Sequence, residues 1–233
     1  MPIYTYNYQI PSYFDGTNNY MNTLTEKIFE TAPYGYFTNQ DVNTLFPESE
    51  DKRYGLVKRA IAGNEVIHVR RGLYCLAPKY QKKNINLYAL AQHIYGPSYI
   101  SLESALSYHG WIPEAVYTVT SVSFGKSKEF KTPLGIFSFN RVPQKVFYSG
   151  VDRLTDESSG DVFLMAGPIK ALADYVYVYK KDWASLKPAI ESLRIEQEEL
   201  ESVTSDDFDI LFEDYPIRRV QKFLNGARKD LKI

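Results

Sequence analysis

The stretch that decides the fold runs from Leu56 to Leu76, LVKRAIAGNEVIHVRRGLYCL. Helical periodicity puts Leu56, Val57, Ala60 and Ile61 on one apolar arc. Lys52, Gly55, Lys58, Arg59 and Ala62 fall on the opposite side. Gly63-Asn64 then predicts a left-handed stop, because these two residues adopt that backbone at least cost. Two β-prone runs follow, Val66–Val69 and Leu73–Leu76, separated by Arg70-Arg71-Gly72. A three-residue link ending in glycine is a common hairpin loop.

Working upstream, Leu24, Ile28 and Phe29 share a stripe on a helix predicted over 23–31, stopped by Pro33 and Gly35. Thr38 with Asp41 three residues on is a near relative of the capping box, and it opens a second helix through Leu45 and Phe46, ended by Pro47. Ser49 caps the third helix, with Glu50 and Asp51 in its first turn, where the helix dipole favours negative charge. Three helices and a hairpin within residues 21–78 make the order of a winged helix-turn-helix. Residues 1–20 contain five tyrosines, a single charge at Asp15 and no helical period, and read as an irregular arm.

Downstream, Pro78 to Lys83 reads as a linker to a larger mixed α/β domain over 84–233. Helices are expected at 85–95, from a Ser101 cap to His109, and from Pro168 onward. Strands are expected at 116–124, 135–140, 144–149 and 161–166. The C-terminal part reads as helices over 182–202, 205–212 and 216–230. The expected class is therefore α+β, an N-terminal winged helix-turn-helix followed by a larger mixed domain with C-terminal helices. At 233 residues the chain exceeds the usual size of one domain.

The formal net charge is −1, yet the charge is unevenly spread. From Glu50 to Lys83 the bases Lys52, Arg53, Lys58, Arg59, Arg70, Arg71, Lys79, Lys82 and Lys83 face only Glu50, Asp51 and Glu65, a net of +6. Cations that displace counterions from phosphates supply most DNA affinity. Lys52, Lys58 and Arg59 on the third helix, with Arg70 and Arg71 at the hairpin tip, are the expected DNA contacts. Small Gly55 and Ala62 between them would let the helix approach a groove. Arg53 falls on the apolar side and is set aside. The expected partner is double-stranded operator DNA, bound by a monomer or weak dimer that pairs on an inverted repeat.

The same Leu56–Leu76 segment resembles the end of the winged-helix module in AbiEi-type antitoxins of type IV toxin–antitoxin systems. Two later segments agree. Pro97–Gly110, PSYISLESALSYHG, is similar to that family's Tyr/Ser-rich lead into a helix ending in His-Gly. Ala166–Tyr175, AGPIKALADY, is similar to its small-Pro-Glu-Lys-Ala-Leu-x-Asp segment, with Ile169 where the family has Glu. The resemblance implies a repressor of its own operon that counteracts a nucleotidyltransferase-like toxin encoded beside it, without implying a stable complex.

No catalytic group, metal or cofactor is expected. His68, His93 and His109 lack ligand-like spacing with one another or with Cys75, and no phosphate loop or nucleophile elbow is visible. Two other readings stay open. One is a winged helix used only for protein contacts. The other is a metal-dependent nuclease built on Asp152, Asp156, Glu157 and Asp161, which read as a solvated loop. The lone Cys75 excludes an internal disulfide, and neither a long apolar run nor a secretory pattern is present, so the cytoplasm is expected. Glu191 to Asp214 carries ten acids against Arg194, and Tyr215 to Ile233 a net of +5. These runs read either as helices shielding each other or as a docking face for a basic partner.

Overall fold

The computed structural model of the chain describes residues 21–233, and the arm expected over 1–20 lies outside them. The chain divides into two units, one ending at Ile85 and the other running Asn86–Ile233. Both combine helices with sheet, so the class is mixed α+β. No helix among the described residues is long and apolar enough to cross a membrane.

The first unit contains α1 (Thr23–Thr31), β1 (Tyr36–Thr38), α2 (Asn39–Leu45), α3 (Glu50–Ala62), β2 (Val66–Arg70) and β3 (Leu73–Leu76). Each helix starts on a side-chain cap. Asn22 accepts the Leu24 N–H, Thr38 and Asp41 complete a reciprocal capping box, and Ser49 accepts the Lys52 N–H. The strands form an antiparallel sheet in the order β1-β3-β2. Leu24 and Ile28 of α1, Phe37 of β1, Val42 and Phe46 around α2, Leu56 and Ala60 of α3, and Val66 and Leu76 of the sheet share one buried core.

Several local expectations change. The left-handed residue after α3 is Asn64 at φ 54°, while Gly63 stays at φ −80°. The hairpin link is Arg71-Gly72 alone, because Arg70 still pairs with Leu73 across a bulge after His68. Strand β1 was not anticipated. The segment 78–83, expected as a linker, folds onto the first unit: Pro78–Tyr80 make a 3-10 turn, Gln81 donates to the Leu76 carbonyl at 2.6 Å, and the Lys82 ammonium sits 4.7 Å from the Phe29 ring centre. Cys75 is fully buried, and desolvation pushes its thiol up to about 12, which fits a small core residue.

The second unit contains α4 (Leu87–Ile94), β4 (Ser98–Ile100), α5 (Leu102–Tyr108), β5 (Thr118–Ser123), β6 (Lys128–Thr132), β7 (Gly135–Arg141), β8 (Val151–Thr155), β9 (Val162–Ala166), α6 (Pro168–Val178), α7 (Lys187–Leu193), α8 (Asp206–Phe212) and α9 (Arg218–Leu231). Its strands form one mixed sheet in the order β6-β7-β5-β4-β9-β8. Pairs β7/β5 and β4/β9 are parallel and the others antiparallel. Helix α5 packs on β5 and α6, and α6 packs on α8 and α9. The strand expected at 144–149 is irregular, and the helix expected over 182–202 breaks at Arg194 (φ 54°), continuing as a 3-10 turn over Gln197–Ser202.

A sealed polar cluster ties this unit together. Lys170 and Asp174, one turn apart on α6, are both buried. The Lys170 ammonium donates to Gln144 Oε1, to Asp174 Oδ1 at 3.1 Å and to Tyr215 Oη, which uses all three of its protons. Asp174 also accepts from Tyr215, from Tyr99 at 3.1 Å and from Ser101 at 2.6 Å. Burial, then the Asp174 charge, pushes both phenols well above their ordinary range, so Tyr99 and Tyr215 stay protonated donors. The Ser101 hydroxyl is thereby taken from the helix end it was expected to cap. Residues of the segments 97–110 and 166–175 meet here, and Ile169 is buried in the core.

Candidate functional site

Helices α2 and α3 and the outer face of the β2–β3 hairpin enclose an open cleft of about 640 Å³. Glu50, Arg53, Tyr54, Val57, Lys58 and Ile61 enter it from α3 at helical spacing, Asn39, Val42 and Asn43 from α2, and His68 and Tyr74 from the hairpin. Its walls are partly aromatic. Tyr54 is 69% exposed, and the His68 and Tyr74 rings lie 5.3 Å apart. Tyr74 rests in turn on buried Phe37, centres 5.4 Å apart, so the floor is fixed from below by the core.

The expected apolar arc of α3 is narrower than periodicity suggested. Leu56 and Ala60 are buried, whereas Val57 is half-buried and Ile61 is 36% exposed along the cleft. A helix lying on a small three-stranded sheet needs only one such row to close the core. The next row is left to the cleft.

The predicted contact residues separate into two groups. Lys58, Arg59 and Arg71 are exposed, and among the described residues none of them has a carboxylate within 4.0 Å. Lys58 lines the cleft. The Arg59 guanidinium lies over Gly55, where an added Cβ would stand 3.2 Å from it. Arg71 forms the hairpin link, which Asn39 ties to the start of α2 through its N–H to the Gly72 carbonyl at 3.2 Å. Lys52, by contrast, is paired with Glu48 at 2.9 Å, and this contact holds the Glu48 carboxyl below its ordinary value. Arg70 is half-buried in the last strand position. Arg53 donates to the Phe46 and Glu48 carbonyls, closing the turn between α2 and α3. Its guanidinium is thus engaged within the unit, although Arg53 also lines the cleft.

The aromatic part of the cleft went unread in the sequence. Tyr54 was legible from its position four residues before Lys58, but His68 and Tyr74 reach the cleft only because β2 and β3 pair across from one another.

Other candidate chemistry resolves locally. Asp152 lies in β8, while Asp156 organises the following turn, accepting from the Ser158 hydroxyl at 2.6 Å, the Ser159 N–H at 2.7 Å and the Asn86 amide at 3.0 Å. His109 is held below its ordinary value by burial, and its Nε2 meets the Ala166 carbonyl at 3.0 Å. No group of three or more His, Cys, Asp or Glu among the described residues is placed to hold a metal ion. The acidic and basic C-terminal runs meet in one ion pair, Arg228 with Asp209, while Lys222 turns to Asp182.

Comparison with known proteins adds no relative: no protein-family model matches the chain, and none of the curated proteins does.

Proposed function

We propose that the chain is a DNA-binding transcription regulator whose first unit is a winged helix-turn-helix, with α3 as the reading helix and the β2–β3 hairpin as a short wing. One observation carries this reading: on α3 and the hairpin tip of one small unit, Lys58, Arg59 and Arg71 stand exposed, with no carboxylate partner among the described residues. Folding has no use for such cations, whereas a phosphate backbone does. Lys52 joins them by exchanging Glu48 for phosphate, since an exposed pair of this kind is worth no more than about 1 kcal/mol. Arg70, half-buried at the last position of β2, is a further contact in this reading, beside Arg71.

The resemblance to AbiEi-type antitoxins extends the proposal to a cytoplasmic repressor of its own operon that counteracts a nucleotidyltransferase-like toxin. That extension rests on the three similar segments, and it assigns no catalytic group, metal or cofactor to this chain.

The test is binding to duplex DNA from upstream of the protein's own reading frame, followed by fluorescence anisotropy across a salt series. Each phosphate contact contributes about 0.9 to the slope of log affinity against log salt. Lys58→Ala with Arg59→Ala should therefore lower the slope by about two. An unchanged slope, or no preference over scrambled duplex, sinks the operator reading. Growth rescue on co-expression with a neighbouring nucleotidyltransferase-like product tests the antitoxin extension.

A second reading has its own support. Tyr54, Ile61 and Tyr74 give the cleft an apolar side suited to a peptide, so a unit used only for protein contacts is the alternative. Loss of operator preference together with retained partner binding would favour it. Nuclease chemistry is disfavoured by Asp156, whose carboxylate already serves the β8–β9 turn, and incubation of DNA with Mg²⁺ or Mn²⁺ checks this.

A further inference from the structure

We propose that the second unit carries a phosphate-binding site of its own, in a depression where β7 and α6 end and α9 begins. The depression holds about 240 Å³ and is lined by Arg141, Lys180, Arg219, Ser127, Asn140 and Tyr177. Its three cations come from three separate elements: the last residue of β7, the second residue beyond α6, and the second residue of α9. Among the described residues no carboxylate lines it. Among the described residues, none of the three cations has a carboxylate within 4.0 Å.

Three positive charges gathered round one hollow repel one another, and packing does not require them there. Arg219 makes the arrangement costlier. The first turn of α9 holds Arg218 and Arg219, no acid and no side-chain cap, although the exposed N–H groups and dipole at a helix start favour anions. A phosphate reverses each of these costs, pairing with the guanidinium forks and the ammonium beside the helix start. The neutral donors agree. Ser127 Oγ accepts the Arg141 N–H at 2.9 Å, which leaves its hydroxyl proton to donate into the hollow. Half-buried Tyr177 adds an aromatic wall. The edge strand β6 and its approach, which brings in Ser127, add Lys126, Lys128 and Lys131 against Glu129 alone.

The ligand chemistry is a phosphate ester, carried either by a free nucleotide or by a nucleic-acid backbone. The site lies in the second unit and does not depend on DNA contact by the first.

Titration of the full chain with inorganic phosphate, ATP and duplex DNA tests it, with Arg141→Gln plus Arg219→Gln as the variant and amide NMR shifts as the readout. If the source is a free nucleotide, ATP shifts amides around 127, 141, 180 and 219, and the variant weakens ATP at least tenfold. If the source is DNA, ATP binding is absent and the variant lowers the salt slope on duplex by about two. Lys58→Ala with Arg59→Ala should leave ATP binding intact, so failure of the α3 site is distinguishable from failure of this one. Lys180→Gly is the control for folding, since Lys180 sits at φ 53°, where glycine is the easier residue; it should weaken the same ligand severalfold without loss of stability. Phosphate, ATP and DNA binding all unaffected by these changes would overturn the site.

Discussion

Lys58 and Lys170 sit on helices of similar length, one in each unit, and meet opposite fates. Lys58 stands in water at the edge of a cleft, on a helix whose buried row is only Leu56 and Ala60. Lys170 is 2% exposed, and every proton on its ammonium has an acceptor. Burial lowers its affinity for that proton, against the pull of Asp174. A charge enclosed in this way is a fastener, because water cannot replace its partners. A charge left open and unpaired adds almost nothing to folding and remains available to a ligand. The contrast between these two lysines separates what holds this protein together from what it offers to others.

The contrast breaks most sharply at Asp174. Replacing it with alanine strands the Lys170 ammonium together with Tyr99, Ser101 and Tyr215, and should cost about 3–5 kcal/mol in urea unfolding followed by far-UV circular dichroism. A loss under about 1 kcal/mol would mean the cluster is not sealed. In the same assay Lys58→Ala with Arg59→Ala should move stability by no more than about 0.5 kcal/mol, for all its expected effect on DNA.

A finer test lies at Gly55. Alanine there gains about 1 kcal/mol of helix propensity, and the flexible Arg59 guanidinium can shift aside. Thermal unfolding should therefore show a more stable first unit while operator affinity falls severalfold, a separation that a purely structural Arg59 would not produce. Arg71→Ala should next lower the salt slope by about one, measured as for the helix variants, with stability unchanged.

The smallest effect concerns acid. The Ser158 hydroxyl, helped by backbone and side-chain N–H groups at Ser159 and Asn86, holds the Asp156 carboxyl down at about 2, below its ordinary 3.8. The folded state thus favours the ionised form. The stability this supplies is complete above about pH 4 and is lost as pH falls through about 2. Asp156→Asn should be less stable than the parent by under about 1 kcal/mol at pH 6, because solvent screens the site. In urea unfolding across this range the difference should shrink steadily as pH falls from about 4 through about 2. A constant difference at all pH would assign the effect to packing.

Much of the first unit was legible because its signals are local. The Thr38, Ser49 and Asn64 punctuation, the glycine in the hairpin and the stripe of Leu24 and Ile28 each act over a few residues. Strand β1 escaped because three residues carry no measurable period, and it exists only through pairing with β3. Polar β6 escaped likewise, being an edge strand whose lysines face solvent. The alternation at 144–149 misled because Gln144 and Phe147 point to Tyr99 from an irregular segment; Gln144 donates to the Tyr99 oxygen at 3.0 Å, and the Phe147 and Tyr99 rings lie 5.2 Å apart. At the candidate site the sequence identified the cations, and the tertiary structure sorted them: Arg53 and Lys52 have partners within the unit, while among the described residues no carboxylate lies within 4.0 Å of Lys58, Arg59 or Arg71.

By itself, then, the chain's order of residues determined where helices start and stop, which faces are greasy and where positive charge accumulates, since capping, periodicity and charge density are written in neighbours. Only the tertiary structure decided which charges would be enclosed. Lys170 meets Tyr215 and Asp174 meets Tyr99 across 45 and 75 residues of chain. No window of sequence holds both partners, and whether water is excluded from a group depends on everything packed around it.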